Sequence, residues 1–88
     1  MEKENLKENL DSLRNILRRL QVLQVSMFDT YTMYVFMYKH EDCTSISASF
    51  LYGEDEIISV NMSSYCDIKS QDEKYEKFTK EIYSIINA

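Results

Sequence analysis

Apolar and polar residues alternate in two neighbouring stretches near the middle of the chain, residues 44–52 and 56–63, with Leu51 and Ile57 as apolar residues on the otherwise polar side. A period of two is typical of β-strands that bury one face. The preceding segment, residues 27–39, is rich in aromatic and β-branched residues and predicts a long first strand. Turns are predicted at residues 40–42 and 53–55. Because parallel neighbours would need long crossovers, turns this short predict an antiparallel meander.

Two amphipathic helices are predicted on either side of these strands. Over residues 3–24, leucines recur at intervals of three and four, as on one apolar helix face: Leu6, Leu10, Leu13, Leu17 and Leu20. Further on, Ser70-Gln71-Asp72-Glu73 has the form of a capping box, which predicts a second helix with Ser70 as its N-cap. The whole order predicts one α+β domain over residues 1–88: α-β-β-β-α, with both helices packed on one face of a three-stranded antiparallel sheet.

The strand register follows from burial, because a slip of one residue would turn every side chain of a strand to the other face. Pairing like with like predicts one apolar face: Met33, Val35, Met37, Ile46, Ala48, Phe50, Ile58, Val60 and Met62. The other face then carries aromatic residues beside serine and asparagine: Tyr34, Phe36 and Tyr38, with Ser47 and Asn61 among their neighbours. The first strand is apolar on both sides, so a slip that exchanges its two rows is the alternative.

The aromatic and polar face is predicted to bind a partner. Tyrosine interleaved with serine and asparagine is typical of protein-binding surfaces, where rigid aromatic area lies beside small hydrogen-bonding groups. A contiguous exposed apolar patch likewise indicates an interface. The alternative is that the serines only keep an ordinary sheet face soluble while a few tyrosines are tolerated there.

Acidic residues outnumber basic ones by fifteen to ten, giving a net charge of −5. The predicted topology gathers many of them at one end of the molecule, including Glu41, Asp42, Asp67, Asp72 and Glu73. Direct binding to nucleic acid needs clustered Lys and Arg, so this balance disfavours it and favours a basic or nucleic-acid-binding protein as partner. The alternative is that these carboxylates only complement helix dipoles and solubilise loops.

Catalytic and metal-binding patterns are not found in the sequence. His40 is the only histidine, and its spacing from Cys43 and Cys66 matches no familiar zinc pattern. A Gly-rich phosphate loop and a nucleophile elbow are both absent. We therefore predict free thiols, no cofactor, no metal and no enzymatic activity. The charged N-terminus and the lack of a long apolar run predict no membrane association and a cytoplasmic location.

The length, the α-β-β-β-α order and the acidic turns resemble those of small acidic inhibitors made by phages and mobile elements, including anti-CRISPR proteins. The turn residues concerned are Glu41, Asp42, Glu54, Asp55 and Glu56. The resemblance implies blockade of a nucleic-acid-handling defence protein such as a CRISPR effector, for instance by DNA mimicry, in the host cell cytoplasm. The order is also similar to that of double-stranded-RNA-binding domains, but their basic loop and helix are missing.

A homodimeric structural or regulatory module is the alternative function. Such a dimer would assemble through the leucine-rich helix, an edge of the sheet, or the open sheet face.

Overall fold

The computed structural model describes residues 2–27 and 30–88. Five elements follow in the predicted order: α1 (Glu2–Val25), β1 (Tyr31–Lys39), β2 (Thr44–Tyr52), β3 (Asp55–Ser63) and α2 (Ile68–Ile86). The strands form one antiparallel sheet in the order β1-β2-β3. The predicted α+β fold is therefore confirmed.

The first and third strands begin at different residues from those predicted. Met27 does not belong to β1, because its N–H donates to the Gln24 carbonyl (3.2 Å) in the turn that ends α1. Phe28 and Asp29, which the sequence also assigned to the strand, lie outside the described residues. The turn between β2 and β3 takes two residues, beginning at Gly53 with a positive φ of 64°, so Asp55 is already in β3.

The predicted register is confirmed along the apolar rows of all three strands. Phe50 lies opposite Met33 on β1 and opposite Ile58 on β3. The alternative slip of the first strand is ruled out. A bulge between Phe50 and Leu51 leaves Ile57 as the extra residue of β3, because Leu51 pairs with Glu56. Because β3 accommodates this extra residue, the apolar rows keep the predicted pairing although the turn is one residue shorter than predicted.

A single apolar core joins both helices to the same face of the sheet. Its buried members are Leu13, Ile16, Leu20, Leu23, Met33, Ile46, Ala48, Phe50, Met62, Phe78 and Ile82. The central strand contributes three consecutive inward residues, whereas each outer strand contributes one. The buried part of the leucine stripe on α1 is therefore used inside the domain.

Helix α1 crosses the sheet diagonally and leaves one corner of the apolar face uncovered. Near its start, Asn9 Nδ2 donates to the carbonyl of Ser64, just after β3 (3.1 Å). Near its end, Gln24 Nε2 donates to the carbonyl of Met33 on β1 (2.9 Å). Met37, farther along β1, is 37% exposed. The prediction that Met37 lies in the core is therefore wrong, because no helix reaches that corner.

Buried amides form a polar junction between the helices and the sheet. Gln71 is fully buried, and its Nε2 donates to the carbonyls of Asn9 and Cys66, both at 2.9 Å. Ser64 is also buried, and its Oγ accepts from the Thr44 N–H (3.1 Å). Gln71 Oε1 has no hydrogen-bond partner among the described residues. The sequence pattern did not predict this junction, which ties the starts of both helices to one end of the sheet.

Asp67, and not Ser70, is the N-cap of α2. Its backbone is extended (φ −70°, ψ 169°), and its Oδ1 accepts from the Ser70 N–H at 2.8 Å. The helix consequently begins at Ile68, earlier than predicted. A carboxylate three residues before a free backbone N–H satisfies that donor as a serine hydroxyl would.

Asp67→Ala should lower the free energy of unfolding by about 0.5–2 kcal/mol, because the cap to the Ser70 N–H is lost. Ser70→Ala is the matched control and should change stability little, since the Ser70 backbone donor remains. Urea denaturation followed by circular dichroism measures both. A larger loss for Ser70→Ala than for Asp67→Ala would contradict the assignment of the cap.

Candidate protein-binding surface

Three aromatic side chains form a row on the sheet face that carries no helix. Tyr34 and Phe36 are each 49% exposed and Tyr38 is 48% exposed. Alternate residues of a strand point to the same face, which places the three rings side by side. The ring centroids are 6.2 Å apart for Tyr34–Phe36 and 6.3 Å apart for Phe36–Tyr38, with interplanar angles of 29° and 28°. This aromatic row is therefore a continuous stacked ridge.

Small polar residues lie beside the aromatic row across the rest of the face. The β2 residues opposite the three rings are Ser49, Ser47 and Ser45, and their partners on β3 are Ser59, Asn61 and Ser63. Phe36, Ser47 and Asn61 thus form one line across the sheet. The structure brings these predicted site residues together as an aromatic ridge beside a polar surface with short side chains.

His40 belongs to the same face, although the sequence assigned it only to a turn. Its Nε2 is 3.1 Å from the Oγ of Ser45, the residue opposite Tyr38. Tyr34, Phe36 and Tyr38 lie at every second residue, and His40 continues that spacing. The period of two could therefore have predicted that His40 lies on the same face as the aromatic row.

The contact between His40 and Ser45 is not the arrangement of a hydrolase. A serine nucleophile needs a histidine oriented by a third group and donors for the oxyanion. Among the described residues, no carboxylate is hydrogen-bonded to His40, and the pair is exposed to solvent. Those residues also contain no group of three or more His, Cys, Asp or Glu that could hold a metal ion. Cys43 and Cys66 are free and partly buried.

The predicted acidic residues lie around the end of the sheet where β1 turns into β2. Glu41 and Asp42 are exposed in that turn, Asp67 caps α2, and Asp72 and Glu73 follow in its second turn. We call these five residues the acidic end. In the part of the chain that the structure describes, Asp11 and Arg14 form the one ion pair (4.0 Å). The carboxylates of the acidic end are therefore not neutralised by an ion pair there.

Tyr65 is a further residue of the acidic end that the sequence did not single out. Tyr65 is 58% exposed. A side-chain hydrogen bond to the Asp42 carboxylate raises the pKa of Tyr65 above its usual value of 10.0, because accepting the phenol proton favours the neutral form. Tyr65 also lines an open groove of about 730 Å³ with Leu6, Asn9 and Ile68, between the starts of the two helices.

Comparison with protein-family models, with characterised proteins and with solved structures found no match for this chain. Among the described residues, neither α1 nor α2 has the length and apolar character that a membrane-spanning helix needs.

Asp42→Asn should lower the pKa of Tyr65 towards 10, because the carboxylate that accepts the phenol proton is removed. Glu41→Gln, in the same turn, removes the same charge and should leave that pKa nearly unchanged. NMR titration of ¹³C-labelled tyrosine measures the pKa directly, with Tyr65→Phe identifying the signal.

The free energy of unfolding also depends on pH, because the pKa of Tyr65 differs between the folded and unfolded states. Because the folded-state pKa is raised, the contribution of Tyr65 is present below pH 10 and is lost as pH rises through the folded-state value. Equal Tyr65 pKa values in wild type and Asp42→Asn would contradict the assigned contact.

Proposed function

We propose that this protein is a non-enzymatic inhibitor that binds a protein partner through its open sheet face and thereby occludes it. The observation that carries the proposal is the aromatic row: three half-exposed, stacked rings on a face that neither helix covers. Tyr34, Phe36 and Tyr38 are its anchors, and Ser47 and Asn61 supply hydrogen-bonding groups beside them.

The stacking of the row favours binding because it reduces the conformational entropy that these side chains lose when a partner binds. Aromatic side chains have few rotatable bonds, and neighbouring rings already restrict those of Phe36 from both sides. The serine hydroxyls next to them are small and adapt to the hydrogen-bonding groups of a partner. The combination is that of a preorganised interface.

A protein partner fits this face better than a nucleic acid does. Aromatic rows on sheets also stack bases, but such sites combine stacking with a positively charged groove. Lys39 ends β1, and Lys74 lies at the β3 edge, where its Nζ donates to the Asn61 carbonyl (3.2 Å). Against these, Glu41 and Asp42 lie at the same end, and the net charge is −5.

The acidic end supports a narrower proposal about the class of partner. Carboxylates that form no ion pair with another described residue create a field that attracts a basic surface and speeds association with it. Proteins that handle nucleic acid present such surfaces. Together with the resemblance to small acidic phage inhibitors, this supports a defence protein such as a CRISPR effector as partner, met in the host cytoplasm.

Capture from a bacterial lysate tests the proposal. Immobilised wild-type protein should retain a nucleic-acid-handling protein, and Phe36→Asp should reduce its recovery by at least about tenfold, because the central aromatic anchor is lost. Tyr83→Asp is the matched control: Tyr83 is 53% exposed on α2, away from the sheet face, and the substitution adds the same charge.

Circular dichroism should show that both variants are folded. Recovery of no nucleic-acid-handling protein, or equal recovery with Phe36→Asp and Tyr83→Asp, would contradict the proposal.

A further inference from the structure

One edge of β1 is not paired with another strand of the sheet that the structure describes. Hydrogen bonds in the turns at its two ends show which residues direct their backbone groups towards that edge. The His40 N–H donates to the Cys43 carbonyl (2.8 Å), and the Gly53 N–H donates to the Thr30 carbonyl (2.7 Å). Hydrogen-bonded pairs alternate along an antiparallel ladder, so the even-numbered residues of β1 bond to β2. The odd-numbered residues therefore direct their N–H and C=O groups away from the sheet.

Only part of this free edge is occupied by the protein itself. Gln24 Nε2 already donates to the Met33 carbonyl (2.9 Å), which matches the outward direction derived for an odd-numbered residue. Val35 and Met37 come next along the edge; the Val35 side chain is half-buried against the core, whereas Met37 is partly exposed. Unpaired strand groups beside apolar side chains are a template for another strand.

The opposite edge of the sheet, on β3, is protected in ways that β1 is not. It begins with Asp55 and Glu56, contains the bulge at Ile57, and has the Asn61 carbonyl capped by Lys74. Charges, bulges and covering side chains are the features that keep edges from pairing. From residue 31 to residue 38, β1 contains no charge, no proline and no bulge.

The sequence of β1 is nearly symmetric about Phe36. Tyrosines lie two residues away on each side, at Tyr34 and Tyr38, and aliphatic residues lie one residue away, at Val35 and Met37. An antiparallel strand of the same sequence, centred on Phe36, therefore places each residue from 34 to 38 opposite one of its own class. Symmetric dimers need this self-complementarity, in which the same patch serves both subunits.

We propose that two copies of the chain pair through their β1 edges, antiparallel, about a two-fold axis at Phe36. Val35 of each copy then forms a hydrogen-bonded pair with Met37 of the other, and the two Phe36 residues form the close pair between them. The two three-stranded sheets become one continuous sheet, in which the aromatic rows of both copies adjoin. On the helix side, Val35 of each copy covers Met37 of the other.

This pairing also separates the charges of the two copies. In the proposed register the acidic turn of one copy lies beside the start of β1 of the other. The two turns are therefore about 33 Å apart along the strands. That distance exceeds the Debye length of about 8 Å at physiological salt, so their repulsion is largely screened.

The dimer goes beyond the proposed function, since it uses the backbone edge of β1 and leaves the sheet face open. Phe36 belongs to both surfaces, so Met37→Lys and not Phe36→Asp is the variant that separates them. The leucine stripe of α1 was another surface considered for self-association. Its buried residues belong to the core of their own chain, so they are not available to a second copy. A second copy is favoured over a foreign strand because the edge is complementary to itself.

Sedimentation velocity from about 5 to about 500 µM tests the proposal, a range that brackets micromolar dissociation constants. Wild type should form a dimer. Met37→Lys should weaken the dimer at least about tenfold, because a charge then lies in the paired edge. Ile57→Lys is the matched control, since Ile57 is 42% exposed on the other edge strand, and it should leave the dimer unchanged.

Disulfide trapping then tests the register, in a Cys43→Ser, Cys66→Ala background. Close antiparallel pairs have Cα atoms about 4.5 Å apart, within the range of a disulfide, so Phe36→Cys should link two chains on oxidation. Tyr34→Cys should not, because the two copies of residue 34 would be about 13 Å apart.

A monomer over the whole concentration range would overturn the proposal, and a foreign strand would then be the remaining occupant of the edge. A dimer weakened equally by Met37→Lys and Ile57→Lys, or linked equally by Phe36→Cys and Tyr34→Cys, would overturn it too. Met37→Lys should retain the partner captured by wild type, because Met37 lies on the helix side of β1. Loss of the dimer and failure of the proposed function are thereby distinguished.

Discussion

Both helices pack on the same face of the three-stranded sheet, and the other features of this protein depend on that arrangement. The covered face consists of inward residues such as Phe50 and Ala48, packed under α1 and α2. Because the side chains of each strand alternate, the same register that buries this face turns the other one to solvent. An uncovered sheet face is tolerated in water when it is polar, and two of its three strands meet that condition with serine and asparagine. The first strand does not.

The diagonal path of α1 decides where β1 is protected. Its start is held at the end of β3 by Asn9, and its end is held at Met33 by Gln24. The buried amide of Gln71 completes the first anchor by bonding to the carbonyls of Asn9 and Cys66. A helix fixed at these two points cannot also lie over the far half of β1, so one strand combines exposed aromatic rings with an exposed backbone edge.

The proposed function depends on a binding surface held by a rigid support. The aromatic row lies on a strand whose position is set by the core beneath it, and its rings are restricted by one another. The acidic end lies at the same end of the sheet as Tyr38 and His40, so charge and aromatic area are adjacent. A basic partner attracted by the carboxylates would meet the aromatic row as it docks.

The sequence alone was enough for the element order and for the register of β2 against β3, because burial imposes a period that can be read without coordinates. It left two registers open for β1, which is apolar on both sides, and the structure selected between them. It did not determine where α2 begins, since Asp67 and Ser70 are both good caps and only the extended backbone at Asp67 selects between them. It placed Met37 in the core and overlooked Gln71 as a buried residue. Both outcomes depend on the crossing angle of α1, which is set by contacts between residues distant in the chain. Periodicity reports which side of an element is apolar, whereas only tertiary packing decides how far along its length that side is covered.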